Sequence, residues 1–93
     1  MKHQNFHLNV QILKEGKAFI AYSPELDISS CGTTPAHARQ QFQTAVRLFL
    51  EEAEKMGTLP QILKEAGFTK TKPSLWESAR WLSLETIAVP LHA

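Results

Sequence analysis

Hydrophobic residues recur at every second position near the start of the chain. These positions are Phe6, Leu8, Val10 and Ile12. A period of two is typical of a β-strand with one buried face. The apolar pattern resumes over residues 18–22, after a short polar turn that contains Gly16, a residue free to adopt a positive φ angle. The pattern therefore predicts two strands joined as a hairpin.

A proline interrupts the second of these strands. Pro24 has no N–H group to donate to a neighbouring strand, so we expect the strand to break, bulge or lie at a sheet edge there. Leu26 and Ile28 restore the alternation and predict a short third strand that ends near Gly32. Together the three strands predict an antiparallel sheet.

A long amphipathic helix is predicted after the third strand. Thr34 can cap its first turn, and Pro35 suits the first helical position because the N–H that proline lacks would be unpaired there. Gly57 follows Met56 and can end the helix in a left-handed conformation. Apolar residues recur at spacings of three and four, which predicts one buried stripe. The stripe comprises Ala38, Phe42, Ala45, Val46, Phe49 and Ala53.

Further elements are predicted beyond this helix. A short helix begins at residues 58–60 and is closed by Gly67, and a polar hinge follows over residues 69–74. Ser74 and Glu77 have the spacing of a capping box and predict a brief helical turn. Alternating apolar residues predict a final strand. They are Ile87, Val89 and Leu91.

The order of these elements predicts one α+β domain. A three-stranded antiparallel sheet is followed by a long helix packed on one face, a short helix and a final strand. The core is expected within residues 6–68, and a C-terminal segment over residues 75–93 carries the final strand.

Composition narrows the class of protein further. At 93 residues, with 43% apolar and 20% charged residues, the chain is typical of a single globular domain. Ten Lys and Arg nearly balance nine Asp and Glu, so net charge favours neither nucleic acid nor a membrane surface. No apolar run suits a signal peptide or membrane span, and the single cysteine fits a reducing compartment. We therefore expect a cytoplasmic protein.

Candidates for nucleophilic or metal chemistry are few. Cys31 lies six residues before His37, but no third group is evident that would orient the histidine. We therefore expect Cys31 to be a partly buried structural residue. His3 and His7 have a spacing that would bring them together on a helix, whereas the local pattern predicts a strand. Neither a metal site nor a cofactor is expected.

Two acidic residues in the interrupted strand suggest a hydrolytic centre. Glu25 and Asp27 are two residues apart, which places both on the same side of an extended strand. A two-metal nuclease needs several converging carboxylates, but Asp27 is the only aspartate and the glutamates are scattered. We therefore interpret the pair as an exposed acidic corner that contacts a partner, and we do not expect an enzyme.

The basic and aromatic residues of the C-terminal third give weaker signals. Lys64, Lys70 and Lys72 form a thin basic patch without a nucleic-acid-binding motif, and we interpret them as solvated. Trp76 and Trp81 are expected to cover the core or an oligomer contact, with ligand stacking as the alternative.

Taken together, the motifs resemble one known family. A glycine turn at Gly16 precedes an aromatic strand, the sequence PEL, a hydrophobic strand, Gly32 and the capping Thr34. This order, with the segments LFLEEAEKMG and LPQILKEAGF that follow, resembles the HicB family of antitoxin-like proteins over about residues 6–68. The residues after Thr34 are PAH, where the family usually has an acidic pair.

The resemblance implies a fold like a truncated RNase H domain that lacks the active site of that enzyme. It also implies assembly into dimers or tetramers, and binding to a small HicA-type toxin that cleaves mRNA. Acidic side chains would steer such a basic partner. The residues predicted to contact it are Tyr22, Pro24, Glu25 and Asp27.

Full antitoxins of this family often add a C-terminal DNA-binding segment. This sequence ends at Ala93, soon after the last predicted strand, so DNA binding is not expected of it. Three hypotheses stay open at this point. They are a toxin-neutralising protein, an orphan structural or regulatory oligomer of the same fold without a toxin, and a small enzyme.

Overall fold

The computed structural model describes residues 4–92. Its strands form two separate sheets of three strands each. The predicted α+β class is confirmed, including the antiparallel sheet, the long helix and the short helix. In chain order the elements are β1 Asn5–His7, β2 Gln11–Glu15, β3 Ala18–Ser23, β4 Ile28–Gly32, α1 Pro35–Met56, α2 Leu59–Glu65, β5 Thr69–Lys72 and β6 Leu75–Glu77.

The β2-β3-β4 sheet follows the alternation of the sequence. β2 and β3 form a hairpin around Gly16, which has a φ angle of 61°. β3 pairs antiparallel with both neighbours in a continuous register, with Ala21 opposite Ile12 on one side and Ser30 on the other. β3 ends one residue before Pro24, as the missing N–H of proline predicts.

Helix α1 has the predicted bounds, because the residues that cap its two ends are adjacent to it in the sequence. The Thr34 side chain accepts a hydrogen bond of 3.0 Å from the backbone N–H of His37, and Gly57 ends the helix with a φ angle of 74°. Four of the six predicted stripe residues are buried; Phe49, in contrast, is exposed. No helix in residues 4–92 combines the length and apolar character needed to cross a membrane.

The core lies between the sheets and the helices, in two clusters. The first joins α1 to the β2-β3-β4 sheet, and its buried members are Ala21, Ala38, Phe42 and Val46. The second joins the end of α1 to α2, and its buried members are Ala53, Leu59, Leu63 and Phe68. Leu8, Leu26 and Leu50 pack against both clusters and connect them.

The predicted first strand is in fact two strands that belong to different sheets. β1 pairs in parallel with β6, whereas β2 pairs with β3. The side-chain amide of Asn9, between the two strands, donates to the Glu25 carboxylate at 2.9 Å, to Ser78 Oγ at 3.1 Å and to the Ala79 carbonyl at 2.9 Å. These contacts join distant parts of the chain at the point where the strand is interrupted.

The structure corrects three predictions for the C-terminal third. Residues 69–74, predicted as a hinge, form β5 and a turn; a Thr- and Lys-rich exposed strand is a normal sheet edge. The helical turn predicted from Ser74 and Glu77 is instead strand β6, which pairs between β1 and β5. The final strand of the described chain is therefore β6, and residues 87–91 form no strand.

Candidate protein-binding surface

One face of the β2-β3-β4 sheet is not covered by α1. Phe19 and Ala21 pack in the core beneath the helix, so the intervening Ile20 and Tyr22 point to the opposite side. We call this side the outer face. Its residues are Gln11, Leu13, Glu15, Ala18, Ile20, Tyr22, Ser29 and Cys31.

The outer face has an apolar centre, and the charge that its strands carry is negative. Leu13, Ile20 and Cys31 lie side by side across the three strands, and Leu13 is 47% exposed. Glu15 is the only charged side chain that the three strands place on this face. An exposed apolar centre with a negative margin is suited to a protein partner that carries positive charge.

Asp27 places a second negative charge beside the outer face, where its carboxylate contacts Tyr22. The Tyr22 hydroxyl donates a hydrogen bond of 2.9 Å to Asp27 Oδ1. Asp27 has a φ angle of 54°, a left-handed conformation that aspartate tolerates better than most residues. The hydrogen bond to the carboxylate raises the pKa of Tyr22, and partial desolvation and the negative charge of Asp27 raise it further.

We predict that Asp27→Asn lowers the pKa of Tyr22 towards its ordinary value, because the substitution removes the charged acceptor. Asparagine also tolerates the left-handed backbone. Tyr22 is the only tyrosine, so phenolate absorbance during a pH titration measures this group alone. The raised pKa favours the folded protein at pH values below the unfolded-state pKa, and that contribution is lost as pH rises through the folded-state pKa.

Glu25→Gln is the matched control for this titration. Glu25 is two residues from Asp27 and makes no hydrogen bond to Tyr22 in the described structure. We expect the pKa of Tyr22 to be unchanged in this variant. Equal shifts in the two variants would contradict the assignment of the effect to the hydrogen bond with Asp27.

The two acidic residues diverge, which corrects the prediction that they share one side of a strand. Both lie in the turn between β3 and β4. Glu25 is half-buried and accepts hydrogen bonds from Ser23 Oγ at 3.0 Å and from Asn9 Nδ2 at 2.9 Å. Asp27 is exposed and turns towards Tyr22. Glu25 therefore holds the turn in place, while Asp27 is available at the surface.

The structure thus divides the four predicted contact residues. Tyr22 and Asp27 lie together at the end of the outer face, and Pro24 is exposed in the adjoining turn. Glu25 is directed inwards. The prediction missed Leu13 and Ile20, although a hairpin with apolar residues on both of its faces is a sequence signal for a second, partner-facing surface.

In the described residues, the side chains considered for nucleophilic or metal chemistry do not come together in one site. Cys31 is exposed on the outer face, which corrects the prediction of partial burial. His37 Nδ1 accepts a hydrogen bond of 3.1 Å from the backbone N–H of Thr33 and makes none to Cys31 in residues 4–92. His3 lies outside the described residues. Over that same range, no group of three or more His, Cys, Asp or Glu residues could hold a metal ion.

Comparison of the chain with family models, with curated proteins and with solved structures gave no match. The resemblance to HicB proteins therefore stays a prediction that rests on the sequence motifs.

Proposed function

We propose that the protein is a non-catalytic, HicB-like antitoxin-type binding protein. Its outer face would cover the RNA-binding surface of a small, basic HicA-type toxin and so block RNA cleavage sterically. The observation that carries this proposal is the uncovered apolar centre of the outer face, with Glu15 and Asp27 as its charged neighbours. The nature of the partner rests on the resemblance of the sequence motifs.

The arrangement of charge supports a basic partner. Negative side chains at the margin of an interface raise the rate of association with a cationic protein. The apolar centre would supply most of the binding energy, since interface energy is concentrated in a few desolvated side chains near the middle. Leu13 and Ile20 hold that position here.

The proposal is tested with the small basic protein encoded beside this gene. We predict that the purified chain binds this protein and inhibits its cleavage of RNA. Leu13→Asp should weaken binding at least tenfold, about 1.4 kcal/mol, because a charge would be desolvated at the apolar centre. The measurements are titration calorimetry and an RNA-cleavage assay with increasing amounts of the chain.

Leu48→Asp is the matched control. Leu48 is 55% exposed on α1, against 47% for Leu13, and it lies away from the outer face. The control should bind and inhibit like the unaltered chain. The proposal fails if no small basic protein is encoded beside the gene, if none binds, or if both variants lose binding equally. RNA cleavage by the chain alone with Mg²⁺ or Mn²⁺ would favour an enzyme instead.

A further inference from the structure

The C-terminal end of the described chain is an exposed apolar segment. We call residues 82–92 the arm; all eleven are exposed. Within residues 4–92 the arm forms no backbone hydrogen bond, and its one side-chain hydrogen bond is internal, from Ser83 to Glu85. Its large apolar residues are 76–92% exposed. They are Leu82, Leu84, Ile87, Val89 and Leu91.

The arm begins at a fixed point on the body. Ser78 donates its backbone N–H to the His7 carbonyl at 3.2 Å, and Asn9 holds the Ala79 carbonyl at 2.9 Å. Beyond this anchor the chain extends away. The radius of gyration is consequently 15.7 Å, whereas a compact chain of this length has roughly 12 Å. An apolar segment with an unpaired backbone is suited to association with another chain.

A groove of about 810 Å³ lies between β1 and α1 on the same molecule. Its walls are mainly apolar, and the charged groups Arg47, Glu51 and Glu54 also line it. β1 is the end strand of its sheet, so its second edge has no strand partner in the described structure. The apolar lining includes Phe6, Leu8, Val10, Phe42, Val46 and Leu50.

We propose that the arm of one copy enters the β1–α1 groove of a second copy, and that the second copy returns its own arm. The arm would lie extended along the free edge of β1. Its alternating side chains, Ile87, Val89 and Leu91, would enter the groove, and the residues between them would face outwards. Exchange of identical segments produces a closed twofold dimer.

The size of the two surfaces supports a second copy as the occupant. Each copy would contribute eleven arm residues and fourteen groove residues. A stable protein–protein interface needs about 20–30 residues a side, and this exchange falls in that range. The same exchange covers three exposed apolar side chains of each arm, Ile87, Val89 and Leu91, and the apolar walls of both grooves. The proposal does not depend on toxin binding.

Light scattering coupled to size-exclusion chromatography tests the dimer in the full chain. We expect twice the chain mass of 10.5 kDa. Val89→Asp in the arm and Val10→Asp in the groove should each weaken the dimer at least tenfold, because both bury a charge in the apolar contact. Leu13→Asp, on the outer face, should stay dimeric. A monomeric unaltered chain, a Val89→Asp or Val10→Asp variant that dimerises as tightly as the unaltered chain across a dilution series, or a monomeric Leu13→Asp variant would overturn the proposal.

Cysteine cross-linking distinguishes exchange from folding back onto the same chain. Cys31→Ser removes the native thiol, and Val10→Cys and Val89→Cys are then placed in two differently tagged copies. After oxidation, we expect a disulfide that joins the two tags on a non-reducing gel. Both substitutions in one chain should also give dimer-sized product. A disulfide confined within one chain, or none at all, would overturn the proposal.

Discussion

Replacement of Phe42 by alanine is expected to lower the free energy of unfolding by about 3–5 kcal/mol. Phe42 is 4% exposed and lies in the cluster that joins α1 to the β2-β3-β4 sheet. Its removal forfeits the burial of a large side chain and leaves a cavity between helix and sheet. A domain of this size is stable by about 5–15 kcal/mol, so the variant should be near the limit of folding. Urea denaturation followed by circular dichroism measures the change.

Phe49→Ala is the matched control, because it makes the same substitution seven residues later on the same helix. Phe49 is 36% exposed, and it is not a buried member of either core cluster. We expect its cost to be about 1 kcal/mol or less, as is usual for substitutions outside the core. Similar losses in the two variants would mean that α1 is rotated relative to the sheet, with Phe49 as buried as Phe42.

The elements that sequence predicts well are those defined by neighbouring residues. The bounds of α1 follow from the hydroxyl of Thr34, the ring of Pro35 and the left-handed Gly57, all of which act within one helical turn. The β2–β3 hairpin likewise follows from Gly16 and the alternation around it. Local chemistry of this kind depends little on the rest of the fold.

The elements that were missed depend on distant contacts. The division of the first strand accompanies contacts between Asn9 and residues near positions 25 and 78, and no local pattern reveals that meeting. The sequence of β5 predicts a polar hinge, yet this segment pairs with β6. Lys70 Nζ lies 5.6 Å from the centroid of the Trp76 ring. Residues 87–91 show the opposite case, since their alternation predicts a strand but no neighbour pairs with them in the described structure.

The candidate surface was only partly predicted, because it too depends on more than the local sequence. Proline in the β3–β4 connection correctly marked a turn, but the direction of each acidic side chain depends on the backbone of that turn. Asp27 has a φ angle of 54°, which departs from strand geometry and ends the simple alternation that would place it beside Glu25. Sequence therefore located the acidic corner, while the structure assigned a separate contact to each carboxylate.

Replacement of Gly32 by alanine is the second large effect that we expect, at about 3 kcal/mol. Gly32 ends β4 directly beneath the first turn of α1. A Cβ atom there would lie 2.5 Å from the backbone nitrogen of Ala38 and 2.8 Å from the carbonyl carbon of His37. These neighbours are backbone atoms of a capped helix, so the clash cannot be relieved by rotation of a side chain. Thermal and urea denaturation measure the loss.

Gly16→Asn separates this steric effect from the general cost of replacing glycine. Gly16 has a positive φ angle, which asparagine tolerates, and nothing lies within 4 Å of the position that its Cβ would occupy. Although asparagine is larger than alanine, Gly16→Asn should therefore lower the free energy of unfolding by less than Gly32→Ala does, about 1 kcal/mol or below. Equal losses would show that the approach of α1 to β4 is looser than 2.5 Å implies. A much greater loss at Gly32 would show that this glycine is required because helix and sheet meet there, a requirement that its place at the end of a strand does not reveal.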